Sequence, residues 1–188
     1  MRDLLVTVLV EAVKTAKAPG AVACVGKPEG DLFLHAYGHR QIVPVRRPAT
    51  TDTIYDLASL TKVVATTPAI LFLYEEGLID LDEPVFTYLP LPALRTCTIR
   101  HLLTHTSGLP GTLPLFREVT TLEEMIHRYV QRGFDWEPGT RRRYSDAGFM
   151  ILGRVAELVA RDRLDAFCAK RIFAPLGMSQ TRFNPPPE

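Results

Sequence analysis

The stretch Ser59-Leu60-Thr61-Lys62 begins an apolar run that continues to Glu76, and the rest of the chain is organised around it. Apolar residues recur through the run at helix-compatible positions, turn residues precede it, and a glycine follows it as a stop signal. The pattern predicts a buried helix that starts near Ser59. Residues three apart lie on one face of a helix, so we expect the Ser59 hydroxyl to contact the Lys62 amine.

This pair would place a nucleophile beside a possible base. A serine hydroxyl reacts only when another group takes its proton, and a lysine amine can do so only when its surroundings favour the neutral form. N–H groups at a helix start also face an incoming oxyanion. The tetrapeptide alone is not specific, because four serines and five lysines in 188 residues give roughly 0.1 Ser-x-x-Lys matches by chance.

Composition excludes several classes of protein. With 188 residues, 46% of them hydrophobic, the chain has material for a well-packed domain and no sign of collagen, coiled coil or wholesale disorder. The net charge is +1 and the basic residues are scattered apart from two short arginine runs, so no nucleic-acid partner is predicted. No apolar run is long enough to span a membrane.

The cellular location is predicted from the cysteines and the N-terminus. Three widely spaced cysteines without a Cys-x-x-Cys pair indicate reduced, mostly buried thiols. The first ten residues begin like a signal peptide, but Glu11, Lys14 and Lys17 continue an amphipathic helix and interrupt the apolar run. We expect a cytoplasmic protein, unless an export leader has been removed.

The order of elements is predicted from periodicity, turn residues and caps. Before Ser59 we expect a helix at 3–17, strands at 21–26 and 32–37 joined by a turn, a loop at 41–52, and a short strand at Ile54-Tyr55. After Gly77 we expect a short helix from 80–84, a Thr98-capped helix at 99–106, a helix at 122–131 with a Thr121–Glu124 capping box, and helices at 147–159 and 165–173.

Tyr144-Ser145-Asp146 is a second candidate for chemistry, set in a loop just before a predicted helix. A phenol held near a lysine cation has its phenolate favoured and can act as a proton shuttle for a serine. The alternative is that Tyr144 merely packs, with Ser145 or Asp146 as the N-cap of the helix. The residues alone leave both interpretations open.

Six segments together resemble the serine β-lactamase-related family, with class C β-lactamases, related esterases, D-alanyl-D-alanine carboxypeptidases and penicillin-binding protein-like members as the nearest likeness. They are 52–62, 77–85, 99–109, Glu137-Pro138-Gly139, Tyr144-Ser145-Asp146 and 175–178. Six segments in the family's order are far more specific than one tetrapeptide. The likeness runs from about residue 18 to residue 183.

The resemblance implies an α+β (mixed) fold of the β-lactamase/transpeptidase type. Residues 1–58 would form the N-terminal helix and strands of an antiparallel sheet, and residues 59–188 the helical part. It also implies hydrolysis of a small-molecule ester, amide or β-lactam through an acyl-enzyme, with no cofactor and no metal. Ser59 would be the nucleophile and an oxyanion donor through its N–H, and Lys62 and Tyr144 would transfer protons.

Asp146 departs from the family pattern, which usually has asparagine at this position. An amide can donate a hydrogen bond to a substrate carbonyl, whereas an ionised carboxylate only accepts. An anion beside Lys62 would also keep that amine protonated by raising its pKa. We therefore expect Asp146 to contribute to substrate binding, Tyr144 to carry more of the base role, and β-lactams to be poorer substrates than simple esters.

The family's third motif, a Lys-Thr-Gly or His-x-Gly triplet on a strand, has no counterpart here. The only lysine after Lys62 is Lys170, and no histidine follows His127. The chain is therefore expected to match the N-terminal half of such a protein, without the C-terminal half of the sheet. The exposed strand edges would invite a second chain that completes the sheet.

Two alternatives stand beside the enzymatic interpretation. The chain could be a non-catalytic, truncated family module that binds a ligand or a partner chain. His101 and His105 are spaced to bind a metal on one helix face, but structural hydrogen bonding near the Ser107-Gly108 turn is the preferred interpretation.

Overall fold

A computed structural model describes residues 2–15, 17–27, 30–111, 113, 115 and 118–185. The chain divides into two units, Met1–Asp56 and Leu57–Glu188. The predicted turn at 27–31 lies partly outside the described residues, as does the end of the proline-rich C-terminal segment.

The first unit is one helix against a small antiparallel sheet. Its elements are α1 (Arg2–Lys14), β1 (Gly20–Lys27), β2 (Gly30–Gln41) and β3 (Arg47–Pro48). The strand order is β1-β2-β3, with Ala23 opposite His35 in the β1–β2 pair, and α1 packs on β1 and β2. The predicted helix and the first two strands are confirmed.

The prediction for residues 41–55 was wrong in two places. The expected loop contains β3, in which Pro48 pairs with His39 and Arg47 with Gln41. Proline is tolerated there because an edge strand needs no donor on its outer side. Ile54 and Tyr55 belong to no strand and are 49% and 45% exposed.

The second unit is helical and is built around one buried helix. Its helices are α2 (Thr67–Glu75), α3 (Ile99–Leu103), α4 (Leu122–Arg132), α5 (Asp146–Ala160) and α6 (Leu164–Cys168). Helix α5 packs against the other four. Its buried residues, which include Ile151, Leu152 and Val155, occur nearly all round the helix, the pattern of a core helix.

The segment from Ser59 to Glu76 changes its helical geometry twice. A 3₁₀ turn at Ala58–Leu60 leads into a π-helix at Lys62–Thr66, and α2 follows. Pro68 lies in the first turn of α2, where a missing backbone N–H costs nothing. In the middle of one unbroken helix from Ser59, the same residue would leave a hydrogen bond of the helix unmade. The predicted continuous helix is therefore three short ones, and π-helical turns often occur at functional sites.

The remaining helices follow the predictions with local corrections. Thr98 caps α3 by accepting from the His101 N–H at 3.2 Å, but α3 ends at Leu103 because His105 has a φ of +60°. The helix expected from 80–84 is only a 3₁₀ turn at Val85–Thr87. A π-helix at Ala169–Phe173 continues α6 through the rest of the predicted last helix.

The three cysteines are free thiols, as expected, but only two are buried. Burial raises the pKa of Cys97 to about 12 and that of Cys168 to about 11, so both stay protonated at neutral pH. Cys24 is exposed, contrary to the prediction of mostly buried thiols. Among the described residues, no helix has the length and apolar character needed to cross a bilayer.

Candidate active site

Ser59 lies in the 3₁₀ turn that precedes the π-helix, and its side chain is exposed. The residue before it, Ala58, has a φ of +44°, in the left-handed region that residues with a Cβ seldom adopt. Such backbone strain is maintained only when surrounding structure imposes it, and it concentrates at functional sites. The Ser59 hydroxyl is thus presented on a constrained turn.

Lys62 extends from the first turn of the π-helix toward Ser59. Its Nζ lies 3.4 Å from Ser59 Oγ and 2.7 Å from Asp146 Oδ1. Nζ also lies 5.0 Å from the centre of the Tyr144 ring and 5.7 Å from that of Phe149. The lysine side chain is only 15% exposed, so these contacts replace most of its hydration.

Two opposing effects act on the pKa of Lys62. Burial lowers it, whereas the hydrogen bonds and charges of Asp146 and Tyr144 raise it, and the net shift is upward. The amine is therefore a cation at neutral pH. A lysine in this state stabilises a neighbouring anion but cannot itself accept a proton.

Tyr144 meets Ser59 across 85 residues of sequence, with its Oη donating to Ser59 Oγ at 2.7 Å. Backbone hydrogen bonds between two loops place it there. Asp135 N–H donates to the Gly108 carbonyl and Gly139 N–H to the Thr106 carbonyl, both at 2.8 Å. Gly108 permits this approach, because a Cβ would overlap the Trp136 carbonyl oxygen.

Asp146 is the first residue of α5, and Ser145 is its N-cap. The Ser145 hydroxyl accepts from the Gly148 N–H at 3.4 Å and donates to the Pro110 carbonyl at 2.9 Å. This cap fixes the start of α5 and with it the position of the Asp146 carboxylate. Of the two N-cap candidates in the sequence, Ser145 has that role.

The structure brings Ser59, Lys62, Tyr144 and Asp146 into one hydrogen-bonded cluster. Their chemical roles remain predictions. Sequence reasoning did not predict that His105 lies beside this cluster. The centre of its ring is 4.7 Å from that of Tyr144. The predicted structural hydrogen bond of His105 is present, but its donor is the Ser145 N–H and not a group of the Ser107-Gly108 turn.

His101, His105 and the neighbouring Arg143 all make structural contacts. His101 Nδ1 accepts from the Thr98 N–H at 3.3 Å, and His105 Nδ1 accepts from the Ser145 N–H at 3.2 Å. Arg143 pairs with Asp135 and stacks over Trp136 at 4.4 Å. No group of three or more metal-ligating side chains occurs in the part of the chain that the structure describes.

Comparison with known proteins gives relatives for nearly the whole chain. The family model described as Beta-lactamase matches residues 5–188. Penicillin-binding protein 4* of Bacillus subtilis is 30% identical over 159 residues, which are 80% of this chain and 35% of that protein. A putative D-alanyl-D-alanine carboxypeptidase of Escherichia coli is 35% identical over 157 residues, 73% of this chain and 35% of that protein.

Solved structures show the same likeness. An octameric penicillin-binding protein homologue from Pyrococcus abyssi superimposes with a TM-score of 0.81 at 31% identity, covering 94% of this chain and 43% of its own. A D-amino acid amidase from Ochrobactrum anthropi, complexed with L-phenylalanine, gives 0.82 at 27% identity, covering 94% and 50%. The chain thus spans half or less of the length of these relatives.

These matches confirm the predicted α+β fold of the β-lactamase/transpeptidase type over the length that the chain covers. They also confirm the resemblance that the six sequence segments indicated. The chain belongs to the Beta-lactamase family of serine hydrolases.

Proposed function

We propose that this chain carries the nucleophilic half of a serine acyl hydrolase that cleaves a small-molecule ester or amide through an acyl-enzyme. The observation that carries the proposal is the 2.7 Å hydrogen bond between Tyr144 Oη and Ser59 Oγ, made beside a lysine cation. The nucleophile, the phenol that becomes the proton acceptor after it loses its own proton, and the stabilising cation are then in contact before any substrate binds.

In the proposed reaction the Tyr144 hydroxyl, which donates to Ser59 Oγ in the resting site, first gives up its proton to solvent. The phenolate oxygen then takes the Ser59 proton while Oγ forms a bond to the substrate carbonyl carbon. The proton then passes to the leaving alcohol or amine as its bond to that carbon breaks. Water attacks the acyl-enzyme by the reverse path, with Tyr144 accepting its proton and returning one to Ser59. The Lys62 cation lies 3.4 Å from Ser59 Oγ and 5.0 Å from the Tyr144 ring centre, beside the two groups that exchange the proton.

The raised pKa of Lys62 supports this division of roles. Because the bond to Asp146 keeps the amine protonated, Lys62 is a poor base at neutral pH. Among the described residues, the Tyr144 oxygen is the other side-chain group that hydrogen-bonds to Ser59 Oγ. The Ser59 backbone N–H is the donor that we assign to the developing oxyanion. A preorganised donor of this kind contributes about 10²- to 10³-fold in rate.

The experiment that tests the proposal is covalent labelling with a fluorophosphonate. We expect one adduct per chain by intact mass, mapped to the peptide that contains Ser59. Chain unfolded in denaturant before labelling serves as the control and should not react. A folded chain without an adduct would favour the alternative of a non-catalytic module.

Asp146 is proposed to set the preference between esters and β-lactams. Its carboxylate accepts from Lys62 and cannot donate to a substrate amide carbonyl. It also cancels the lysine charge, so a substrate carboxylate gains less attraction than beside an asparagine. We therefore expect a short-chain p-nitrophenyl ester to be hydrolysed faster than the β-lactam nitrocefin.

The Asp146→Asn variant tests this preference. We expect the ratio of nitrocefin to ester kcat/KM to rise by on the order of tenfold, the worth of one hydrogen bond. The exposed Asp162 gives a matched Asp→Asn control that should leave the ratio unchanged. Faster nitrocefin than ester turnover in the wild type, or a gain of ester activity in Asp146→Asn, would refute the assignment.

A further inference from the structure

His105 binds the backbone on both sides of Tyr144. The Arg143 N–H donates to the His105 carbonyl at 2.9 Å, and the Ser145 N–H donates to His105 Nδ1 at 3.2 Å. The imidazole also packs against the Tyr144 ring, with 4.7 Å between centres, and against Phe149 at 5.1 Å. One residue therefore restrains the backbone and the ring of the phenol that meets Ser59.

This double contact depends on the backbone conformation of His105. Its φ of +60° lies in the left-handed region, where histidine, asparagine and aspartate are enriched among residues other than glycine. The conformation ends α3 two residues earlier and turns the chain toward the Tyr144 loop.

The hydrogen bond from Ser145 defines the protonation state of the imidazole. A ring nitrogen that accepts an N–H cannot carry a proton, so the neutral ring has its hydrogen on Nε2. Protonation of Nδ1 would set two N–H donors against each other. Ser145 is only 1% exposed, so water cannot readily take over as the acceptor.

We propose that His105 is the positioning residue for Tyr144 and that it holds the phenol against Ser59 only while its imidazole is neutral. This inference rests on the proposed function, in which Tyr144 moves the Ser59 proton. It adds an acid-sensitive restraint to the site.

The surroundings of His105 keep it neutral near pH 7. Burial lowers its pKa, and so do the positive charges of Lys62 and Arg142, while the Asp146 carboxylate raises it, with a net downward shift. Of the two described rings that pack against His105, that of Tyr144 carries a titratable group and that of Phe149 does not. Because the folded-state pKa lies below the ordinary value of about 6.5, the restraint persists at neutral pH and is lost as pH falls through the lowered pKa.

Two substitutions of His105 test its hydrogen-bond acceptor and its ring contact separately. His105→Asn keeps an acceptor near the Nδ1 position, tolerates a positive φ and does not titrate, but it loses the ring contact. His105→Phe keeps a ring against Tyr144 and loses the acceptor for the buried Ser145 N–H. Chemical-shift dispersion in ¹H–¹⁵N NMR spectra establishes that each variant is folded.

The experiment measures the rate of Ser59 labelling by a fluorophosphonate between pH 4.5 and 8, beside ¹⁵N NMR of His105. In the wild type we expect His105 Nδ1 to be unprotonated at neutral pH. We expect the labelling rate to fall with pH over the same range in which NMR shows His105 gaining a proton. The Asn variant should label within about fivefold of the wild-type rate and lack that acid limb. The Phe variant should label about tenfold more slowly at neutral pH.

Three results would overturn the proposal: a proton on Nδ1 at neutral pH, an unchanged acid limb in His105→Asn, or a wild-type labelling rate in His105→Phe. A wild-type chain that never labels instead refutes the proposed function. In that case, hydrogen exchange of the Ser145 amide tests the restraint by His105 independently of any reaction at Ser59. Protection kept in His105→Asn and lost in His105→Phe supports it, and equal protection in both refutes it.

Discussion

Replacing Ser59 by alanine is expected to reduce ester hydrolysis by on the order of 10⁴-fold or more and to remove the fluorophosphonate adduct. The substitution deletes the only atom that can form the acyl bond in the proposed mechanism. Tyr144 and Lys62 would still lie beside the vacant position, but neither would have an acyl acceptor to activate. Initial rates with a p-nitrophenyl ester and intact mass after labelling measure the two effects.

The loss should not come from unfolding. Ser59 is exposed, and the phenol that bonds to it belongs to a tyrosine that is 47% exposed. Lys62 loses its 3.4 Å contact with Ser59 but keeps its bond to Asp146 at 2.7 Å, so no buried polar group is left without a partner. We expect the free energy of unfolding to change by no more than about 0.5 kcal/mol. Ser179 is another exposed serine of the same unit, and Ser179→Ala is the matched control that should keep full labelling. An adduct that persists in Ser59→Ala would place the nucleophile elsewhere.

Local sequence patterns predicted the parts of this site that neighbouring residues determine. Ser59 and Lys62 are three residues apart, and their side-chain atoms lie 3.4 Å apart although the turn between them is not α-helical. The Thr98 and Thr121 caps likewise depend on residues three positions along, and both hydroxyls accept the expected N–H. At Thr121 this is only one of the two bonds of the predicted capping box, whereas the full box forms at Thr98 with His101. In these cases short-range geometry alone determines the contact.

Contacts between distant segments could not be derived in the same way. Periodicity gave no reason for Tyr144 to meet Ser59, and only the family resemblance joined them. The contact depends on two loops held by backbone hydrogen bonds, which involve atoms common to every residue and leave little signal in side-chain patterns. The positive φ of His105 could not be predicted either, since only a few per cent of residues other than glycine adopt that conformation and the enrichment of histidine leaves most histidines outside it.

The single helix predicted after Ser59 was wrong in its helical type and right in its burial. Pro68 marks the start of α2, and its position six residues after Lys62 could have signalled that one regular helix would not run from Ser59. The prediction of one helix followed the apolar pattern of the run, which reports burial. Both the π-helix and α2 have buried residues, namely Ala65 in the first and Ala69 and Ile70 in the second. Burial was therefore predictable, whereas the helical type was not.

Removal of the Tyr144 hydroxyl is expected to have the second large effect. In Tyr144→Phe the group that lies 2.7 Å from Ser59 Oγ disappears, while the ring can keep its contacts with His105 and with the Lys62 cation. Loss of a positioned general base lowers rates by about 10²- to 10⁴-fold. We expect kcat/KM for a p-nitrophenyl ester and the rate of fluorophosphonate labelling to fall together by that amount.

Tyr74→Phe is the matched control, because Tyr74 is also 47% exposed and lies on α2, outside the hydrogen-bonded cluster. It should retain wild-type rates. The comparison also decides between the two candidate bases. Lys62 remains 3.4 Å from Ser59 Oγ in the wild-type geometry, so near-normal rates in Tyr144→Phe would transfer the proton-accepting role to its amine. That outcome would require a neutral Lys62 despite its bond to Asp146, which the raised pKa of the amine opposes.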